Sequence, residues 1–396
     1  MAHLLLAIIY LSFVSLGLPD SLLGSAWPSM YEGLGVPVSY AGIVSMLISG
    51  CTIVSSLFSA RLVRALGPGR VTALSVGTTA AALFGFSASH TFTPICLWAI
   101  PYGLGAGSVD AVLNHFVALR YKARHMNWLH CFWGVGAAIG PYAMGLCLTH
   151  GLGWPRGYHA VGLAQAALTA LLLLSLPLWR NGGEEGTPSR KGPSAPPEGV
   201  GTLLRLPGAR QTLTAFFCYC SLEHTTGLWG SSYMVMTKGL AADQAASLIA
   251  LFYLGITIGR FASGFLSIRL DDRAMIRAGQ ALALMGVLLL PFAEGAFQLR
   301  IGFVLIGLGC APIFPGLLHQ TPERFGEAAS QAMMGLQMAS AYLGSTLSPF
   351  LAGWVVGRLG VALYPFLLLA FAILMTGMTE GDNRRAAALV GPSSGG

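Results

Sequence analysis

The sequence predicts an all-α membrane protein of twelve transmembrane helices, arranged as two six-helix bundles. Of its 396 residues, 54% are hydrophobic and only 9% are charged, and the mean hydropathy is +0.67. Soluble domains of this length do not have such a composition. Apolar runs of about 20 residues recur along the whole chain, and each is long enough to cross about 30 Å of hydrocarbon as a helix.

These apolar runs give the predicted helices in order. They fall near 4–30, 38–62, 71–90, 93–119, 127–150, 158–179, 209–237, 243–268, 275–294, 298–320, 328–356 and 360–379. Runs such as Leu168–Leu178 are apolar on every face, whereas the strands of a transmembrane barrel alternate over about 10 residues. The first run lacks a basic leader and a cleavage pattern, so we expect it to be retained as a helix.

Basic residues in the loops predict the orientation. If both termini are cytoplasmic, 17 of the 22 Lys and Arg residues lie inside and four outside, while Arg260 falls within a helix. This bias follows the positive-inside rule and places the chain in the plasma (inner) membrane as a multi-pass protein. The net charge of +7 therefore reflects topology and contact with the anionic inner leaflet of the bilayer. Nucleic acid is not an expected partner, because no basic stripe is interleaved with stacking aromatic residues.

The chain divides into two halves. We predict an N-terminal bundle over 1–180, a cytoplasmic linker over 181–208, a C-terminal bundle over 209–380 and a cytoplasmic tail over 381–396. The linker is rich in Gly, Pro, Ser and charge, which is typical of solvated segments. The halves repeat at an offset of about 205 residues, so that Gly103-Leu104-Gly105 matches Gly307-Leu308-Gly309. A parallel repeat of this kind predicts two bundles that rock about a site between them.

Twelve helices as six plus six, a long central loop and an internal repeat together resemble the major facilitator superfamily. Within it, the run G-L-G-A-G-S-V-D-A-V-L-N at 103–114 resembles the fourth-helix motif of the fucose permease-like branch of sugar and proton symporters. The resemblance implies the major facilitator fold and a role for Asp110 in proton-coupled sugar uptake. The superfamily signature between helices two and three survives only as 60–67, which keeps Arg61 and Arg64 but lacks the acidic residue.

Three intramembrane acids are the candidates for proton coupling: Asp20, Asp110 and Glu223. A carboxylate at membrane depth is costly unless it faces a cavity or a partner, so each is a functional hypothesis. Asp110 and Asn114 are four residues apart and share a helix face. Structural alternatives remain open for the other two acids, since Asp20 follows the kink-forming Pro19 and Glu223 adjoins His224.

The candidates for substrate binding combine aromatic faces with amide and imidazole groups, which suit the C–H faces and hydroxyls of a sugar. They are Asn114, Trp27, Trp133, Trp229, Gln337 and His130. Packing is the alternative role for the tryptophans and for His130. We assign Arg260, Arg64 and Arg269 to gating, since a guanidinium at or near membrane depth needs an anionic partner.

The predicted function is secondary active transport of a small polar solute, a sugar or polyol, by alternating access coupled to protons. An exporter of amphipathic drugs is the alternative within transport, suggested by Gly136 and Gly140-Pro141 in the fifth helix. A receptor that does not transport is a further alternative. An enzyme is not expected, because nucleophile and metal-hydrolase motifs are absent. The seven cysteines form no C-x-x-C pair, and we expect a monomer without metal or cofactor.

Overall fold

The computed structural model describes residues 2–121, 123–181 and 200–390. In these ranges the chain is almost entirely helical, with two short 3₁₀ turns at Val38–Tyr40 and Val361–Leu363. The helices are α1 (Ala2–Asp20), α2 (Leu22–Met30), α3 (Ala41–Leu66), α4 (Pro68–Ser87), α5 (Phe92–Arg120), α6 (Ala123–Thr149), α7 (Gly153–Leu174), α8 (Leu176–Asn181), α9 (Val200–Leu203), α10 (Ala209–Met236), α11 (Ala242–Leu266), α12 (Asp272–Phe292), α13 (Ala296–Cys310), α14 (Ile313–His319), α15 (Thr321–Leu359) and α16 (Tyr364–Val390).

Each of the twelve predicted spans coincides with a long helix or with a pair of consecutive helices. Among the described residues, nine stretches are both long and apolar enough to cross a bilayer. The three predicted spans outside this set correspond to α4, α10 and α15, which have 20, 28 and 39 residues. In α10 the polar residues Glu223, Thr225 and Thr226 are buried inside the bundle. Such residues lower the hydropathy of a helix without exposing polar groups to lipid. The total of twelve membrane spans stays a prediction.

The first span is interrupted between α1 and α2. Pro19 cannot donate a backbone hydrogen bond, and the helix breaks at Ser21 two residues later. Asp20 is the last residue before this break. The kink expected from Pro19 stays a prediction.

The two halves repeat in their packing as well as in their sequence. A Cβ atom added to Gly103 would lie 2.2 Å from the carbonyl oxygen of Ile48, and one added to Gly307 would lie 2.1 Å from that of Phe252. Gly307 follows Gly103, and Phe252 follows Ile48, by the same number of positions in the sequence. These glycines let α5 approach α3, and α13 approach α11, more closely than any side chain would permit.

The bundle has a basic end and an opposite end. The basic end is defined by arginines on the helix ends and loops there, namely Arg61, Arg64, Arg70, Arg269, Arg273 and Arg324. Towards the opposite end the halves touch closely. A Cβ on Gly24 would lie 2.1 Å from the carbonyl oxygen of Gly227, and one on Gly357 would lie 2.8 Å from Cβ of Ser39. The halves are therefore packed against each other at the opposite end.

The described parts of the predicted linker and of the predicted tail pack against the second half. Residues 182–199 and 391–396 lie outside the described residues. Leu203 of the predicted linker is buried against Ala209 and Met333. Helix α16 continues past residue 380, and Asp382 in this extension forms a buried ion pair with Arg324. The charged end of α16 is thus tied to the start of α15.

Candidate functional site

A cavity of about 1350 Å³ lies between the two halves. Its wall includes residues of α1, α3, α5 and α6 from the first half and of α10, α11 and α15 from the second. Lining residues reach the basic end at Ser267, Asp272 and His319. Because the halves are packed together at the opposite end, the cavity approaches the surface at the basic end.

Asp20 lies at the cavity wall and is held by two donors from neighbouring helices. The Tyr102 hydroxyl donates to Oδ1 of Asp20 at 3.1 Å, and the Trp133 Nε1 donates to Oδ2 at 2.9 Å. The helix break after Asp20 directs its carboxylate between α5 and α6, while part of its surface stays open to the cavity. Neither donor was predicted as a partner of Asp20, although Trp133 was predicted at the cavity.

Asp110 also lines the cavity, and its partner lies one turn further along α5. The Asn114 side-chain amide donates to Oδ1 of Asp110 at 2.9 Å and to the Asp110 carbonyl oxygen at 3.0 Å. The same helix approaches α3 through Gly107, where a Cβ would lie 2.2 Å from the carbonyl oxygen of Thr52. The acid therefore sits on a face directed into the protein, and its amide neighbour supplies a single donor.

Glu223 and Arg260 form a charged pair at the cavity wall in the second half, and His319 approaches Asp272 at 2.6 Å at the basic end of the same wall. The Arg260 Nη2 and Glu223 Oε1 atoms are 4.0 Å apart. His224, which follows Glu223, directs its Nδ1 to the Cys220 carbonyl oxygen at 3.1 Å. Glu223 is thus paired across helices with Arg260 and not with the adjacent histidine.

Arg260 also joins the halves. Its guanidinium carbon lies 5.5 Å from the ring centroid of Trp133, close enough for a cation–π contact. Since Trp133 donates to Asp20, a continuous chain of contacts runs from Asp20 through Trp133 and Arg260 to Glu223. Two of the three candidate acids are connected in this way although they belong to different halves.

Several predicted substrate residues lie away from the cavity wall. The Nε1 atoms of Trp27 and Trp229 donate to the carbonyl oxygens of Val38 at 2.6 Å and Pro349 at 2.9 Å, and both rings are fully buried. Gln337 is also fully buried and exchanges hydrogen bonds with Thr321. The structure gives these three side chains packing partners and does not bring them to the site.

The remaining predicted residues divide between the cavity and the basic end. His130 lines the cavity and packs edge-on against Phe13, with ring centroids 5.8 Å apart. Arg64 and Arg269 are exposed at the basic end. Neither arginine contributes to the cavity wall among the described residues.

Hydroxyl groups that sequence reasoning did not single out also line the cavity. The side-chain oxygens of Tyr158 and Thr346 are buried at its wall and have no hydrogen-bond partner within the described ranges. A buried hydroxyl without a partner loses its hydration without compensation, and a polar group of a ligand that reached it would restore a hydrogen bond. Tyr158 lies near the end of an apolar run, where tyrosine is common at the membrane interface, so its sequence position carries no distinguishing signal.

No group of three His, Cys, Asp or Glu side chains in the described part of the chain is placed to hold a metal ion. The polar groups of the cavity are instead carboxylates, hydroxyls, imidazoles and one guanidinium. This set is suited to binding a polar solute and to carrying protons. Asn114, predicted to bind substrate, is not among the lining residues and meets the cavity only through its bond to Asp110.

The chain is similar to known proteins over nearly its whole length. A family model described as Major Facilitator Superfamily matches residues 9–242 and 212–379. The chain is 21% identical over 387 residues to the glucose/mannose transporter GlcP of Bacillus subtilis, with 95% of this chain and 94% of GlcP covered. It is 20% identical over 364 residues to a TsgA homologue of Serratia proteamaculans, with 90% and 89% covered.

Two solved structures share the fold. A bacterial homologue of the human lysosomal transporter Spinster, in an inward-facing and occupied conformation, superposes with a TM-score of 0.71 at 10% identity, covering 97% of both chains. A variant of the nucleoside transporter NupG superposes with a TM-score of 0.70 at 15% identity, covering 95% of this chain and 98% of the other. At these identities the likeness concerns the path of the backbone and not the residues of the site.

Proposed function

Because this chain belongs to the Major Facilitator Superfamily, and is therefore a multi-pass membrane transporter and not an enzyme, we propose that it moves a small polar solute, a sugar or polyol, by alternating access coupled to protons. The observation that carries this proposal is the meeting of Asp20, Asp110 and Glu223 in one cavity between the halves. Intramembrane carboxylates of this kind mark proton and substrate pathways.

Asp110 is the proposed coupling acid. Its carboxylate has one amide donor from Asn114 and no cationic partner within the described residues. Removal from bulk water disfavours the charged form of a carboxylate, and a lone amide donor offsets this only in part. A proton taken up here when the cavity faces one side can be released when it faces the other.

Polar groups along the wall support a hydroxylated substrate. The Tyr158 and Thr346 hydroxyls at this wall have no protein partner among the described residues. Trp133 presents an aromatic ring at the same wall. A sugar or polyol can use both features, since its hydroxyls bind polar groups and its C–H faces stack on rings. The similarity to GlcP supports the same substrate class.

Alternating access is proposed to occur by relative movement of the two halves. In the present arrangement the two halves are packed together at the opposite end, so it corresponds to the state in which the cavity opens at the basic end. Following the positive-inside bias, we assign the basic end and both termini to the cytoplasm of a cell with the protein in its plasma (inner) membrane. One chain supplies both walls of the cavity, so a monomer is the proposed functional unit.

Transport by the purified protein in proteoliposomes tests this proposal. An imposed proton gradient, inside alkaline, should drive accumulation of at least one member of a panel of neutral sugars, polyols and sugar acids, and a protonophore should abolish it. A cationic dye added as a separate arm tests drug transport. Failure of every sugar, polyol and sugar acid to be transported, with the dye moved by the proton gradient, would contradict the proposed function.

A further inference from the structure

The guanidinium of Arg260, at the wall of the central cavity, has fewer hydrogen-bond partners than donors. A guanidinium carries five N–H donors. In the described part of the chain the partners of Arg260 are Glu223 at 4.0 Å, the ring of Trp133 and the hydroxyl of Tyr219, and they leave some of the five donors unused. A contact with a ring uses the face of the guanidinium and leaves its N–H edges for other partners.

Two other arginines of the second half have closer acidic or polar partners. Arg277 binds both carboxylate oxygens of Glu380, with its Nε at 2.6 Å and its Nη2 at 2.8 Å. Arg324 pairs with Asp382 and donates to Asn383 at 2.6 Å. Arg260 has no bidentate or networked partner of this kind among the described residues, although it lies at the wall of the cavity.

A carboxylate is the ligand that best completes such a group. Two parallel N–H···O bonds from one guanidinium match the geometry of a carboxylate, and bonds of this charge-assisted kind are about twice as strong as neutral ones. The same wall holds four acids, Asp20, Asp110, Glu223 and Asp272, with a single guanidinium, and Asp272 at the basic end is paired with His319. One guanidinium among these acids suits a ligand with one negative charge better than a doubly charged phosphate group.

The geometry points to a substrate that carries a single carboxylate, a sugar acid, bound through the guanidinium of Arg260. This inference rests on the proposed function and narrows its substrate class. The carboxylate of the substrate would lie against the N–H edges of Arg260, on the Trp133 ring. The hydroxyls of the substrate would extend towards the unpartnered Tyr158 and Thr346 hydroxyls.

The test compares three probes of similar shape: D-glucuronate, its neutral amide glucuronamide, and D-glucose. Binding to the full chain in detergent is measured by calorimetry and by the shift in thermal unfolding, since a ligand of the folded state alone raises its stability. We expect glucuronate to bind at least about ten-fold more tightly than either neutral probe, as a charge-assisted pair predicts.

The variants separate a ligand contact from a structural role. Arg260→Gln should abolish the preference for glucuronate over glucuronamide, while Arg260→Lys, which keeps the charge without the bidentate fork, should retain part of it. Arg358→Gln is the matched control, because Arg358 lies 4.9 Å from the ring of Trp354 but outside the cavity wall. It should leave the preference unchanged.

Three outcomes would overturn the inference: equal binding of glucose and glucuronate by the unmodified protein, an unchanged preference in a folded Arg260→Gln variant, or no binding of any carboxylate. Proton-driven transport of neutral sugars with no binding of acids would leave the proposed function standing and refute the sugar-acid inference alone. Absence of all sugar and sugar-acid transport would refute the proposed function itself.

Discussion

Trp133 of the first half lies beneath Arg260 of the second, with 5.5 Å between the ring centroid and the guanidinium carbon. The indole of the same tryptophan donates to Asp20 at 2.9 Å, and Arg260 approaches Glu223 at 4.0 Å. One aromatic ring therefore connects two acids that belong to different halves. A movement of either half must alter this chain of contacts, which joins the proton and substrate parts of the proposed mechanism.

Replacing Asp110 by Asn should abolish proton-driven accumulation while exchange of substrate between the two sides persists. The substitution removes the titrating group but keeps an oxygen that accepts the Asn114 amide. The measurement is uphill uptake and equilibrium exchange in proteoliposomes. Asp271→Asn is the control, because Asp271 caps α12 by accepting from the Ala274 N–H, which Asn also does. Uphill transport at the unmodified rate in Asp110→Asn would place the coupling acid elsewhere.

A disulfide between positions 39 and 357 should lock the halves together at the opposite end. A Cβ on Gly357 lies 2.8 Å from Cβ of Ser39, within about 1 Å of the usual disulfide separation. In a background without the seven native cysteines, the Ser39→Cys and Gly357→Cys pair should cross-link under mild oxidation and stop transport, and reductant should restore it. The single Ser39→Cys variant is the control. Full cross-linking with undiminished transport would show that the halves need not separate there.

An alternative pair is Ser25 and Ser231, because Gly24-Ser25 matches Gly230-Ser231 in the repeat between the halves. Both side chains are fully buried, and Ser25 bonds within its own helix to the carbonyl oxygens of Ser21 and Leu22. Substitution there would disturb packing before it reported on movement. The pair at 39 and 357 is therefore the better probe of the closed end.

Gly24→Ala should destabilise the present packing of the halves. The new Cβ would lie 2.1 Å from the Gly227 carbonyl oxygen, a backbone atom that cannot rotate away. Overpacking of this kind costs about 1–3 kcal/mol. Gly50→Ala is the matched control, since its Cβ would meet nothing within 4 Å and alanine is favoured in a helix by about 0.5–1 kcal/mol. The midpoint temperature of thermal unfolding should fall for Gly24→Ala and stay level or rise for Gly50→Ala. Equal effects of the two substitutions would contradict the close approach of the backbones.

Tyr158→Phe should weaken substrate affinity without lowering the stability of the empty protein. The hydroxyl it removes is buried at the cavity wall and has no partner among the described residues, so folding loses no hydrogen bond. Loss of a contact to substrate should cost about 0.5–1.5 kcal/mol of binding free energy. Calorimetry with whichever solute is transported, together with thermal unfolding, measures both quantities.

Tyr233→Phe gives the reverse comparison. The Tyr233 hydroxyl donates to the Leu290 carbonyl oxygen at 2.9 Å and is not part of the cavity wall. Its loss should reduce stability by about 1 kcal/mol and leave affinity unchanged. A loss of affinity in both variants to the same degree would show that Tyr158 acts through general packing and not as a substrate contact.

The sequence by itself determined the membrane class, the helical segments and the family. These depend on composition, on the length of apolar runs and on local spacing, all of which are read along the chain. The pairing of Asp110 with Asn114 was also predictable, because residues four apart in a helix share a face. The glycine repeat was also visible in the sequence, whereas the close approach of α5 to α3 and of α13 to α11 appeared only in the packing.

Only the tertiary structure decided which polar groups meet. Trp27, Trp133 and Trp229 are alike in sequence context, yet two are buried against backbone carbonyls and one faces Asp20 and Arg260. In lipid a helix is apolar on nearly all faces, so hydrophobic periodicity does not fix its rotation, and contacts such as that of Asp20 with Trp133 depend on how separate helices turn and pack. The unpartnered hydroxyl of Tyr158 and the open donors of Arg260 are visible for the same reason only once the neighbouring helices are in place.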